Sequence, residues 1–294
     1  MGILIYWQEM GFLQFCTKKG PVLVIHIRTR RNRAQSPRQI GIGRQILAWC
    51  VHFYTALGLV AAAGMAVCIF HGGQEHFHQA FILMLVASLI DGTDGTLARR
   101  LRVKEVLPGF DGRRLDDLVD FLTYTCLPLL LIWRAGILSE ELRAFLLFPL
   151  LASAYGFSQV FAKTEDGYFL GFPSYWNLVA FYLYILRPTE WIAVCMLVSF
   201  SVLTFVPTRY LYPSQKGRLN WWTNMFAAAW TVLISWILIS PGPHEFGDSH
   251  SQRLTIVSLI FPFYYLAMSW VISLRMRLQC RKKMEKEIRQ AFSG

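Results

Sequence analysis

DGTDGTLARRLRVKEVLPGFDGRRLDDLVD, residues 91–120, decides how this chain is read. Seven of the 18 acidic residues fall inside it: Asp91, Asp94, Glu105, Asp111, Asp116, Asp117 and Asp120. The runs on either side are apolar and of the length that crosses a bilayer, roughly 20 residues. Carboxylates at the ends of membrane helices cost free energy to keep there and mark functional sites by default. The chemistry of the chain is therefore expected in this stretch.

Composition sets the class. The 294 residues are 54% hydrophobic and only 16% charged, with a mean hydropathy of +0.38, which argues for a polytopic helical membrane protein. The net charge of +11 would suit nucleic acid, but the Lys and Arg sit in alternate loops between apolar runs. That is the positive-inside pattern, so the partner of this charge is the anionic membrane surface and not nucleic acid. The six Cys are scattered with no CxxC pair, so neither a disulfide framework nor a zinc site is indicated.

Outward from the acidic stretch, about eight spans are expected: 45–70, 77–98, 115–138, 144–161, 175–186, 190–210, 219–240 and 255–274. They make a transmembrane domain of 45–274. A basic segment of 1–44 with a possible amphipathic surface helix precedes it, and a basic tail of 275–294 follows. With the N-terminus in the cytoplasm, 25 of the 29 Lys/Arg lie on that side, all but Arg134, Arg143, Arg187 and Arg253. Both termini and the acidic stretch then face the cytoplasm, where nucleotides are.

Asp91 and Asp94 are three apart and Asp116 and Asp120 four apart, so each pair shares one helix face. An antiparallel arrangement of the two helices would bring four carboxylates to one point at the membrane surface. Such a group repels itself unless protonated or bound to metal. An all-oxygen set suits Mg²⁺ or Mn²⁺, and two ions are expected. Gly92, Gly95 and Ala98 remove bulk beside the Asp face, and Arg99 can grip a phosphate in a fork. A divalent-cation transporter would use carboxylates too, but near mid-membrane and on both sides.

Asp91-x-x-Asp94-Gly95-x-x-Ala98-Arg99, followed by Gly112-x-x-x-Asp116-x-x-x-Asp120, resembles the signature of the CDP-alcohol phosphatidyltransferases. The resemblance implies an all-α transmembrane bundle that handles CDP-linked lipid, and homodimers in a bacterial inner membrane. It further implies Asp91, Asp94, Asp116 and Asp120 as metal ligands, with Asp120 also the catalytic base. Asp91, Gly95, Ala98, Arg99 and Gly112 would line the CDP-diacylglycerol site. The twelve residues between Arg99 and Gly112 exceed the family's usual eight. That spacing, with the run FLGFPSYWN at 169–177, resembles the bacterial branch that uses choline. Serine, inositol and glycerol phosphate are the alternative acceptors.

Choline offers no N–H to a hydrogen-bond acceptor, so aromatic rings with a nearby carboxylate are the physical way to hold it. Tyr155, Glu165, Asp166, Tyr168, Tyr175 and Trp176 lie in or beside one cytoplasmic loop and are the candidates. Aromatic residues also collect at membrane interfaces for other reasons. His71, His76 and His78 resemble a metal cluster by composition, and a solvated loop is the simpler expectation.

Overall fold

The computed structural model describes residues 41–159, 169–210, 218–240 and 246–292. The surface helix expected within 1–44 lies almost wholly outside them. Two long helices begin the described chain, α1 (Ile42–His71) and α2 (Gly73–Arg100). Only Gly72 separates them, at φ +71°, a left-handed conformation that glycine adopts without strain. The two helices pack along each other closely, because Gly64 lets the Leu83 side chain approach. A Cβ on Gly64 would sit 2.9 Å from Leu83 Cδ1.

After α2 comes the connector, with the single turn α3 (Val103–Val106), and then α4 (Gly112–Asp120). Val103 and Val106 bury themselves on Ala48 and Val51 at the start of α1, so the connector folds back onto the bundle. Asp111 caps α4, its Oδ1 accepting from Arg113 N at 3.2 Å. Asp116 is thus a helix-interior residue and not the cap.

Beyond Asp120 the backbone widens into a π segment, Phe121–Cys126, before α5 (Leu127–Arg134). Leu127 N donates to Leu122 O, five residues back. Pro128 explains the change. Proline has no N–H and its ring crowds the carbonyl four residues earlier, so the ladder must shift there. The expected single span at 115–138 is therefore three helical segments in series.

A 3₁₀ stretch (Glu140–Leu146) leads to α6 (Leu147–Ser158). The rest comprises strand β1 (Phe169–Leu170), α7 (Trp176–Leu186), α8 (Glu190–Phe205), strand β2 (Arg209–Tyr210), α9 (Arg218–Ile239), α10 (Ser249–Ser258) and α11 (Ile260–Phe292). β1 and β2 pair antiparallel, with Phe169 opposite Tyr210. Asp248 caps α10 by accepting from Ser251 N at 2.7 Å, and that hydrogen bond holds its carboxyl below the ordinary range.

A helix stands at each of the eight expected spans. Among the described residues four are long and apolar enough to cross a membrane: Ile42–His71, Gly73–Arg100, Trp221–Ile239 and Ser249–Gln279. The helices at the other four positions are shorter or divided, so the count of eight spans is not established by length. Trp176, Phe81, Met65, Leu131, Ile132, Leu183 and Leu197 fill the interior. Large apolar side chains also face outward, Phe53, Phe70 and Val232 among them, which is how a lipid-facing surface reads. Gln39–Ser273 form one compact unit, and the residues from Leu274 on fall outside it.

Candidate metal and nucleotide site

The C-terminal end of α2 and the helix α4 meet at the acidic stretch. Gly58 on α1 permits the approach, since a Cβ there would collide with the Val119 side chain. One carboxylate oxygen each from Asp91, Asp116 and Asp120 lies within 4.8 Å of the others, and all three residues are half-buried. Three such carboxylates are a fitting cradle for a hard divalent cation. Their donor set is all oxygen, and the charge they concentrate needs a counter-charge.

Two of the aspartates are individually anchored. Tyr124 donates its hydroxyl to Asp91 Oδ2 at 2.8 Å. Thr55 on α1 donates to Asp94 Oδ2 at 2.7 Å, and Asp94 is only 5% exposed. Asp94 falls outside the group of three, one turn along α2, yet near enough to Asp120 to act on it electrostatically. Thr93 shares a 2.8 Å hydrogen bond with the Tyr54 hydroxyl, a second tie between α1 and α2 at this level.

The small residues divide by role. Among the described residues nothing lies within 4 Å of a Cβ added to Gly92, and only the Arg99 guanidinium, at 3.3 Å, meets one added to Gly95. That flank of α2 is open to a ligand. Ala98 instead packs on the Ala48–Val51–Val103–Val106 cluster beneath the connector. Gly112 has no room for a side chain because the His52 imidazole fills the space. Arg99 is exposed and donates to Thr96 Oγ1 at 3.0 Å.

Three of the candidates for holding choline, Tyr155, Tyr175 and Trp176, lie among the described residues. Tyr155 is exposed and rests on Phe205, with ring centroids 4.7 Å apart. Trp176 is fully buried, its indole N–H donating to Ser153 Oγ at 2.7 Å. Tyr175 is half-buried beside Phe172 and Tyr265. Glu165, Asp166 and Tyr168 lie outside the described residues. On the far side, His78 is buried with Nε2 against Leu238 O at 2.6 Å, tying α2 to α9. His71 and His76 each use Nδ1 on a backbone carbonyl one turn back. Those bonds brace the α1–α2 turn.

Tyr124 and Thr55 were missed from sequence. Tyr124 carried a signal: it follows Asp120 by four residues, continuing the spacing of Asp116 and Asp120. Thr55 carried none, since 39 residues separate it from Asp94.

This geometry matches what comparison with known proteins finds. Residues 50–165, which contain every carboxylate just described, match the family model for CDP-alcohol phosphatidyltransferase. A Borreliella burgdorferi protein named phosphatidylcholine synthase is 39% identical over 177 residues, 60% of this chain and 74% of its own length. The chain belongs to the CDP-alcohol phosphatidyltransferase family. Similarity extends to phosphatidylcholine synthases of Bradyrhizobium diazoefficiens, 34% identical over 78% of this chain and 85% of the relative. The Legionella pneumophila protein of that name is 38% identical over 61% of this chain and 70% of its own length. Family membership accounts for the clustering of Asp91, Asp116 and Asp120 on an otherwise apolar bundle, where unpaired charge is costly.

Proposed function

We propose that this chain is a phosphatidylcholine synthase, transferring the phosphatidyl group of CDP-diacylglycerol to choline and releasing CMP. The observation that carries the reading is the convergence of Asp91, Asp116 and Asp120 beside the open glycine flank of α2. The curated relatives of that name support choline as acceptor over serine, inositol or glycerol phosphate.

In this reading the pyrophosphate lies against Gly92 and Gly95, with Arg99 on its oxygens. Asp91, Asp94, Asp116 and Asp120 would hold Mn²⁺ or Mg²⁺, with two ions as the proposed count. A divalent cation bound there neutralises the pyrophosphate and the departing CMP oxygen. Asp120 accepts the proton of the choline hydroxyl as its oxygen attacks the lipid-linked phosphorus. The new oxygen–phosphorus bond forms while the bond to the CMP oxygen breaks. Tyr124 holds Asp91 in orientation throughout.

The residues 45–274 form the catalytic domain in this reading, between a basic N-terminal segment and a basic tail. The protein acts as a homodimer in the bacterial inner membrane with both termini cytoplasmic. Purified protein given CDP-diacylglycerol, Mn²⁺ and labelled choline should yield labelled phosphatidylcholine and CMP in equal amounts. Faster turnover of serine than of choline would sink the acceptor assignment.

A further inference from the structure

Four rings from distant parts of the chain close a circuit. Phe172 and Tyr175 precede α7, Tyr210 ends β2, and Tyr265 lies in the second turn of α11. Ring centroids are 6.3 Å apart for Phe172 and Tyr175, and 6.3 Å for Tyr175 and Tyr265. They are 6.1 Å apart for Tyr265 and Tyr210, and 6.3 Å for Tyr210 and Phe172. In a flat square of such an edge the centre is about 4.4 Å from every ring, inside the roughly 6 Å reach of a cation–π contact.

We propose that Phe172, Tyr175, Tyr210 and Tyr265 are the cage that takes a quaternary ammonium group, the trimethylammonium end of the acceptor. The proposal rests on the choline reading above and names the residues that select for it. Burial gives the cage a back and a mouth. Phe172 and Tyr210 are buried, Tyr210 at 0% exposure, while Tyr175 and Tyr265 are only partly buried. The back wall also carries an oddity: the Tyr210 hydroxyl is buried with no hydrogen-bond partner among the described residues. A phenylalanine would fill that space without stranding a polar atom, so ordinary core packing does not account for the hydroxyl.

The backbone is bent to place these rings. Gly171, at φ +83°, lies so close to the end of α8 that a Cβ would collide with the Thr204 carbonyl. Phe172 then stacks on Phe200 with centroids 4.8 Å apart. Ser174, buried and not a glycine, is held at φ +53° immediately before Tyr175. Strain of this kind persists where surrounding structure insists on it, often at ligand sites. Two residues on, Asn177 Nδ2 donates to Ser88 Oγ at 3.3 Å. Ser88 is one turn before Asp91 on α2, so the segment bearing half the cage is pinned to the helix bearing the first aspartate.

The cage separates acceptors by chemistry. A fully methylated nitrogen presents a diffuse positive surface to π faces, whereas a primary ammonium or a neutral sugar wants hydrogen-bond acceptors in its place. The test uses full-length purified protein and steady-state kinetics in both substrates. Tyr265→Leu and Tyr175→Leu should raise the KM for choline at least tenfold while the KM for CDP-diacylglycerol stays put. Tyr265→Phe, which keeps the ring, should stay within threefold. Tyr264→Leu, the neighbour whose hydroxyl meets Thr223 outside the cage, serves as the control and should leave choline KM unchanged.

An unmoved choline KM in the leucine variants overturns the cage, as does an equal rise in both KM values. Calorimetric titration of wild-type protein with tetramethylammonium and with neutral 3,3-dimethylbutan-1-ol needs no turnover and no variant. At least tenfold tighter binding of the cation is expected, and equal affinity overturns the proposal. Choline turnover insensitive to Tyr265→Leu would sink the cage and spare the acceptor reading. Tetramethylammonium binding that depends on Tyr265, without choline turnover, would sink the acceptor reading and spare the cage.

Discussion

Tyr124 and Asp91 are joined by a 2.8 Å hydrogen bond that crosses from the π segment after the last aspartate to the helix of the first. Partners of this sort orient a metal-ligating carboxylate, and losing one typically costs about 10- to 100-fold in metal affinity or activity. Tyr124→Phe should raise the Mn²⁺ concentration for half-maximal activity by about tenfold. Activity titrations of wild type and variant would check it, and identical midpoints would rule the role out.

Thr55 holds the most buried of the four signature aspartates. Thr55→Val leaves Asp94 Oδ2 without that donor, at 5% exposure. An unsatisfied buried group costs about 1–3 kcal/mol, more if charged. The melting temperature in detergent should fall, and Thr55→Ser, which keeps the hydroxyl, should restore it.

Asp120→Asn separates binding from chemistry. The amide is close in shape but cannot take a proton from the acceptor hydroxyl, and a positioned base contributes about 10²- to 10⁴-fold. Turnover should fall by that order while CDP-diacylglycerol binding, measured by ligand titration, changes only a few-fold. Substantial activity in the variant would remove Asp120 from the base role.

Gly58→Ala tests the fit that seats α4 on α1. The added Cβ collides with the Val119 side chain, next in sequence to Asp120. Overpacking of this kind costs typically about 1–3 kcal/mol. Val119→Ala in the same chain should recover part of the loss in a denaturation experiment. Simple additivity of the two changes would show that the contact does not matter.

Much of this could be seen in the linear chain because the membrane makes such patterns stark. Apolar runs of span length have few soluble explanations, so a helix stands at every expected position. The divided third span was missed although Pro128 marked it, since a hydropathy window averages over a proline that the hydrogen-bond ladder cannot ignore. The aspartates were legible because helix periodicity puts residues three or four apart on one face. The neighbours of Ala98 were not: its side chain packs under the connector, and a sequence cannot say which neighbour a small residue makes room for.

The division has a physical basis. Helices, their approximate ends and the Asp91–Asp94 and Asp116–Asp120 pairs follow from local rules of period and hydropathy, so the sequence by itself determined them. Contacts between distant segments obey no such period. Only the packed bundle decided that Thr55 anchors Asp94, that Tyr124 orients Asp91, and that Phe172, Tyr175, Tyr210 and Tyr265 meet. Those residues come together because close-packed helices leave one arrangement of neighbours, and that arrangement depends on the whole chain at once.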